Sequence, residues 1–268
     1  MSDISSPSPY CRRQGVGEPV ICLHSSLSSS KQFQPMIDAA GDRFEFLAFD
    51  LYGYGQSPDW GTRGILTLND EVDFIAPAVK SLERPFHIVG HSYGGCVALS
   101  LALHFQAQVK SITVYEPVLF SLLFDSVPLR PGSDEIWRIQ AEVRRLILMK
   151  RLSEAAHLFV DYWSGVGAWA SFPDSRRQNL ADKMSQVEAD FDATLTNTLS
   201  IRDYSSLSAP TLILHGIRSP ISTRQIAGML CEAIPKAHAG DFEKLGHMGP
   251  VTNPEVVDPV IIDFLSAG

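Results

Sequence analysis

The run Ile88-Val89-Gly90-His91-Ser92-Tyr93-Gly94-Gly95 decides the fold of this chain. It sits between an apolar stretch starting at Phe86, which predicts a short buried strand, and residues 96–103, which predict a helix. Gly90, Ser92 and Gly94 form Gly-x-Ser-x-Gly, the spacing of a strained turn that lifts a serine hydroxyl above the end of a sheet. The glycines have a steric reason. Without Cβ atoms at Gly90 and Gly94, neighbouring segments can crowd the turn, and Gly95 lets the helix pack closely on the strand. The helix start adds free N–H groups and the positive end of a dipole, both suited to an oxyanion. The strand–turn–helix context favours a reactive serine over a glycine-rich junction with an incidental one.

Outward from this turn, strand and helix patterns alternate. On the N-terminal side, apolar runs predict strands at 19–24 and 44–49, with a weak strand at 10–13 and a turn at 15–18. A loop beginning Ser25-Ser26-Leu27 opens a helix over 32–40, and a glycine loop, Gly53-Tyr54-Gly55-Gln56-Ser57, follows Asp50. Residues 67–83 predict a helix broken or kinked near Pro77. On the C-terminal side a strand at 109–115 ends in Glu116-Pro117. Residues 118–208 are helical, rich in large apolar side chains, and hold Trp137, Trp163 and Trp169. The rhythm resumes with strands at 210–215 and 237–245 and helices at 223–233 and 254–265.

This alternation predicts an α/β fold, a mostly parallel twisted sheet with helices on both faces and right-handed crossovers. The core is expected from 1–117 and 209–268, with 118–208 as a helical cap insertion. Ligands of such sheets bind beyond the carboxyl ends of the strands. His24, Asp50, Ser92, Glu116, His215 and His247 all fall at or just after predicted strand ends, so one edge of the sheet collects the chemistry.

Composition narrows the function. The chain has 268 residues, 45% hydrophobic, with a net charge of −8. That is length enough for one sizeable core. The acidic balance argues against nucleic acid, and the clusters Arg144-Arg145, Lys150-Arg151 and Arg176-Arg177 read as solvated faces of helices. Cys11, Cys22, Cys96 and Cys231 are too scattered for a zinc site or a disulfide framework; Cys22 and Cys96 are expected in the core. No histidine pairs at a metal-ligand spacing. A polar, Ser- and Pro-rich tail is expected over 1–9, with no signal-type apolar region and no run long enough to span a membrane. The default expectation is a cytoplasmic protein acting on a small molecule, with no membrane partner and an oligomeric state left open.

The chain resembles the α/β-hydrolase family over nearly its whole length. The resemblance rests on Leu23-His24 with its serine loop, on Asp50-x-x-Gly53-x-Gly55-x-Ser57, on the Ser92 turn and on Gly246-His247-Met248. It implies Ser92 as nucleophile and His247 as its base, with Gly246 leaving room for the imidazole ring. It also implies an oxyanion site built from the backbone N–H groups of Tyr93 and Ser26. The family usually has glycine where this chain has Ser25. His91 is expected to support the turn, and His24 and His215 to be structural.

The acid is the departure. The family often places an aspartate three residues after the glycine that ends the seventh strand, and here Ser219 stands there. Serine carries no negative charge to stabilise an imidazolium. Either the triad is incomplete or the acid comes from elsewhere. Glu116 is the best substitute, an arrangement similar to part of the haloalkane dehalogenase branch; Asp241 and Glu243 are the runners-up. That branch uses an aspartate nucleophile, whereas Ser92 implies acyl transfer to water. The expected substrate is a small, apolar ester, lactone or related carbonyl compound. Carbon–carbon bond hydrolysis, perhydrolysis, and a binding protein without turnover are the alternatives. The hydroxyl, imidazole and oxyanion donors suffice for the chemistry, so no cofactor or metal is expected. Arg218, in a loop after a strand, is a weak candidate for touching substrate.

Overall fold

The computed structural model describes residues 7–61, 63–125 and 129–267. Most of the tail expected over 1–9, and positions 126–128 of the expected cap, lie outside them. Seven strands form one sheet: β1 (Cys11–Gly15), β2 (Glu18–Leu23), β3 (Phe44–Phe49), β4 (Phe86–His91), β5 (Val109–Tyr115), β6 (Thr211–Gly216) and β7 (Ala237–Phe242). Their order is β1-β3-β2-β4-β5-β6-β7. The pairings from β3 through β2 to β7 are parallel; β1 pairs antiparallel with β3, Cys11 opposite Phe49.

Period-two alternation sorts the strand side chains onto two faces. Ile21, Leu23, Leu47, Phe49, Ile88 and Ile213 join the cluster on one face. Val20, Cys22, Phe46, Ala48, Val89 and Leu214 join the cluster on the other, under the helices Gln34–Ala40 and Pro254–Ala267. The first face carries the helices Leu68–Lys80, Tyr93–His104 and Ile221–Ala233. Both faces being covered explains why β3, β4 and most of β2 are buried throughout, without polar alternation.

Local chemistry sets the ends of these elements. Thr67 caps the helix Leu68–Lys80 through a capping box with Asp70. The helix runs through Pro77 without the break expected there. The strand expected over 10–13 lies one residue later and reaches Gly15, and β7 stops at Phe242, short of the expected 245. Lys150-Arg151 lies between helices, with Lys150 at φ 60°, and does not form a helix face.

Between β5 and β6 the chain forms the helices Pro131–Leu148, Leu152–Ser164, Ala168–Ser171, Asp174–Asp182, Met184–Leu195 and Ile201–Tyr204. This helical insert shares one hydrophobic cluster with the sheet: Trp163, Val187 and Phe191 belong with Val97, Leu101 and Val114. Arg144 ties two of its helices together through Glu188 and Asp192.

Crowding at the Ser92 turn matches the steric expectation. A Cβ at Gly94 would lie 2.2 Å from the Leu23 carbonyl oxygen, and one at Gly90 2.5 Å from that of Gly94. At Gly95 the near neighbour is Pro117, at 3.1 Å. Gly228, by contrast, lies exposed inside the helix Ile221–Ala233 with nothing within 4 Å. Gly94→Ala should therefore cost about 3 kcal/mol, since backbone must move, while Gly228→Ala should stabilise by about 0.5–1 kcal/mol. Urea unfolding of the two variants measures both, and equal effects would contradict this packing.

Candidate active site

The final rungs of the sheet ladder set up the site. Ser92 directly follows β4, and its N–H donates to the Tyr115 carbonyl at 3.0 Å. Glu116 directly follows β5, and its N–H donates to the Leu214 carbonyl at 2.9 Å. Both take left-handed backbone, φ 56° and 46°, which is costly for side chains with a Cβ. His247 comes from the segment after β7, where Tyr115 Oη donates to the Gly246 carbonyl at 2.8 Å. These three side chains meet. Ser92 Oγ lies 2.8 Å from His247 Nε2, and His247 Nδ1 lies 2.7 Å from Glu116 Oε2. With Nδ1–H donated to the carboxylate, Nε2 is left to accept the serine hydroxyl.

Glu116 is fully buried and therefore needs donors. Oε1 accepts the Gly216 N–H at 2.7 Å and the Ser219 hydroxyl at 2.5 Å. Ser219, where the family usually has an aspartate, thus holds the carboxylate that reaches in from the neighbouring strand. Burial alone would raise the Glu116 pKa. The hydrogen bond and charge of His247, then Ser219 and Gly216, outweigh it and hold the carboxyl below its ordinary range.

His91 supports His247 from behind. Its Nε2–H donates to the His247 carbonyl at 2.9 Å, and its Nδ1 accepts from Gln32 at 3.1 Å. Burial pushes its pKa down to about 3, so the ring stays neutral. Trp163, from the insert, lies over the His247 ring with centroids 4.2 Å apart and shields it.

The loop after β2 is strongly constrained. Gln32 Oε1 accepts from both the N–H and the hydroxyl of Ser25, at 3.2 and 3.1 Å. The Ser26 hydroxyl donates to Asp190 at 2.5 Å, and Leu27 takes φ 58°. Tyr93 opens its helix directly after Ser92, and its side-chain hydroxyl donates to Glu71 at 3.1 Å. A cavity of about 130 Å³ opens on Ser92, with Ser26, Tyr93 and His247 in its wall. Phe120, Phe159 and Phe191 also line it; so does Arg176, which lies over the Phe172 ring at 3.8 Å and so reaches the cavity from the helix face expected to be solvated.

Several residues at the same edge stay outside this cluster. His24 accepts from the Leu51 N–H and holds the Ser25 carbonyl. Asp50 binds the N–H groups of Ser30 and Gln56 and so ties two loops together. Asp241 pairs with His215 at 3.3 Å, Glu243 is exposed, and neither reaches His247. Arg218 is exposed and does not line the cavity. Apart from its chain neighbours, a Cβ at Gly246 would come no nearer than 3.8 Å to any atom, that of the Arg218 carbonyl oxygen. Gly249 is the crowded position, 2.5 Å from Tyr115 Oη.

The fold agrees with what comparison with known proteins finds. The alpha/beta hydrolase fold family matches residues 18–254. The chain belongs to that family. It is a hydrolase of the alpha/beta fold. An "AB hydrolase superfamily protein" of Bacillus subtilis is 26% identical over 260 residues, 93% of this chain and 92% of that protein. A "probable lysophospholipase" of Arabidopsis thaliana, BODYGUARD 1, is 37% identical over 112 residues. That match covers 39% of this chain and only 24% of the plant protein's length. Among solved structures, an esterase from Exiguobacterium antarcticum superposes with a TM-score of 0.77 at 18% identity, covering 96% of this chain and 95% of that one. No helix of the described residues is long and apolar enough to cross a membrane.

Asp50, Glu71 and Asp190 are buried carboxyls of this region with no cationic partner among the described residues. Burial raises Glu71 from its ordinary 4.5 to about 8. The unfolded chain releases this proton near 4.5 and the folded chain near 8. Between those values the folded state holds one proton more, so stability falls as pH rises through that window. The slope is up to about 1.4 kcal/mol per pH unit. Glu71→Gln should flatten the decline in unfolding free energy from about pH 6 to about pH 8 relative to wild type. Urea titrations at each pH test this, and parallel slopes would show that Glu71 is already ionised in the fold.

Proposed function

We propose that this protein is a serine hydrolase that cleaves a small, apolar ester, lactone or related carbonyl compound through an acyl-enzyme on Ser92. The observation that carries the reading is the chain of hydrogen bonds Ser92–His247–Glu116 opening on a cavity walled largely by aromatic and aliphatic side chains. Ser92 Oγ attacks the substrate carbonyl while His247 Nε2 takes its proton. Glu116 remains ionised and stabilises the imidazolium. The N–H groups of Tyr93 and Ser26 receive the oxyanion. The tetrahedral adduct collapses, His247 protonates the departing alcohol, and a water deprotonated by His247 then releases the acid. The helical insert acts as the cap over the acyl group.

A carboxylate within hydrogen-bond reach of the His247 ring favours turnover over simple binding, because it stabilises the charge that forms only during reaction. The lowered pKa of Glu116 keeps that charge available. The aromatic and aliphatic side chains that make up most of the wall support a greasy substrate.

Intact mass after treatment with a fluorophosphonate probe tests the reading. Wild type should gain one probe mass and Ser92→Ala none. Glu116→Gln should label about a hundredfold more slowly or worse. Ser219→Ala removes one donor from the carboxylate and should slow labelling by about tenfold, less than Glu116→Gln. A folded wild type that takes no probe would overturn the serine-hydrolase reading.

A further inference from the structure

The reaction as proposed leaves one buried acid in the cavity wall without a task. Asp190 lies on the helix Met184–Leu195 of the insert and is 4% exposed. Its Oδ2 accepts the Ser26 hydroxyl and the Tyr54 hydroxyl, each at 2.5 Å, and its Oδ1 accepts Gln186 Nε2 at 3.1 Å. Ser26 and Tyr54 belong to two different loops at the carboxyl edge of the sheet. One carboxylate of the insert therefore clamps both.

The surroundings are shaped for this clamp. A Cβ at Gly53 would lie 2.2 Å from Gln186 Oε1, so the missing side chain leaves the space from which Gln186 reaches Asp190. The chain just past Ser26 is strained, with Leu27 at φ 58°. Gln32 grips Ser25 on the other side. Ser26 is thus held from its N-terminal neighbour by the core and from its own side chain by the insert. Burial raises the Asp190 pKa to about 6, against the hydrogen bonds from Ser26, Tyr54 and Gln186. A site that keeps an unpaired acid at such a cost needs the acceptor there.

We propose that Asp190 is a positioning residue: through the Ser26 hydroxyl it holds the Ser26 backbone N–H where the oxyanion develops, so that the oxyanion site is complete only with the insert helix seated. This rests on the serine-hydrolase reading, in which the Ser26 N–H is a donor. Asp190 touches no reacting atom. Its effect falls on transition-state binding and leaves ground-state binding of an apolar acyl group nearly unchanged.

The test uses the full chain as wild type, Asp190→Asn, Ser26→Ala and the double variant. Fluorophosphonate titration counts active sites. Hydrolysis of p-nitrophenyl butyrate gives kcat and KM, and inhibition by an alkyl trifluoromethyl ketone reports affinity for a tetrahedral adduct. Each single variant should lose about tenfold or more in kcat, with KM within about twofold, and should lose a similar factor in ketone affinity. The double variant should fall no further than the worse single one, because both remove the same restraint. Wild-type kcat in either single variant, a loss confined to KM, or multiplied losses in the double variant would each overturn the proposal. Ser26→Ala keeps the test decisive if Asp190→Asn does not fold. A wild type that takes no probe overturns the hydrolase reading and this one with it. A wild type that labels beside a Ser26→Ala of full activity overturns this one alone.

Discussion

The structure depends on two backbone hydrogen bonds that close the parallel ladder at its carboxyl edge. Ser92 N–H reaches the Tyr115 carbonyl and Glu116 N–H reaches the Leu214 carbonyl. Each belongs to a residue that has just left its strand and taken positive φ. The strand pairing over-determines these two conformations, which a free chain would avoid at a cost of roughly 1–3 kcal/mol each. Adjacent strands then set the spacing between the serine and the glutamate. The imidazole that joins them arrives from two strands further along the sheet. The crowded glycines follow from this arrangement, since a turn this tight beside β2 leaves no volume for side chains at Gly90 or Gly94.

Electrostatics explains how a carboxylate just after β5 can be held by the loop after β6. A buried carboxylate is tolerated only if its oxygens are satisfied. At Glu116 the donors come from the neighbouring strand end, Gly216 and Ser219, and from His247. The loop after β6 therefore keeps its place in the site while exchanging a charge for a hydroxyl. Moving the acid one strand across the sheet needs a side chain long enough to span the gap, and a glutamate provides it. Ser219 and Glu116 are one unit, and neither position makes physical sense read alone.

Much of this was legible in the sequence because it depends on local spacing. Gly90-x-Ser92-x-Gly94 fixes a strand, a turn and a helix within ten residues, and the βα rhythm around it fixes the sheet. The substitution at the Ser219 position pointed to Glu116 because it closes the strand after the Ser92 helix, where part of the haloalkane dehalogenase branch has its acid. Strand and helix ends, by contrast, moved by a few residues. Pro77 did not break its helix, because burial of Phe74, Ile75 and Val79 outweighs one lost hydrogen bond. Gly249 carries a close contact that the sequence did not single out, its Cβ position lying 2.5 Å from Tyr115 Oη. Such contacts join segments far apart in the chain, and no local pattern reports them.

Glu71 and Asp190 show where a readable signal did exist. Glu71 falls on the helical stripe of Leu68, Val72, Ile75 and Val79. Asp190 falls on that of Met184, Val187, Phe191 and Thr194. A carboxylate on an apolar stripe has to be either paired or protonated once the helix docks, so it marks a polar contact across the interface. In both cases that contact leads to a residue beside Ser92 in space: Glu71 to the Tyr93 hydroxyl, Asp190 to the Ser26 hydroxyl. The two acids sit on different layers, one on a helix packed against the sheet and one on the insert. The loops between those layers are held from both sides, which is what a preorganised site requires of backbone that no strand ladder can reach.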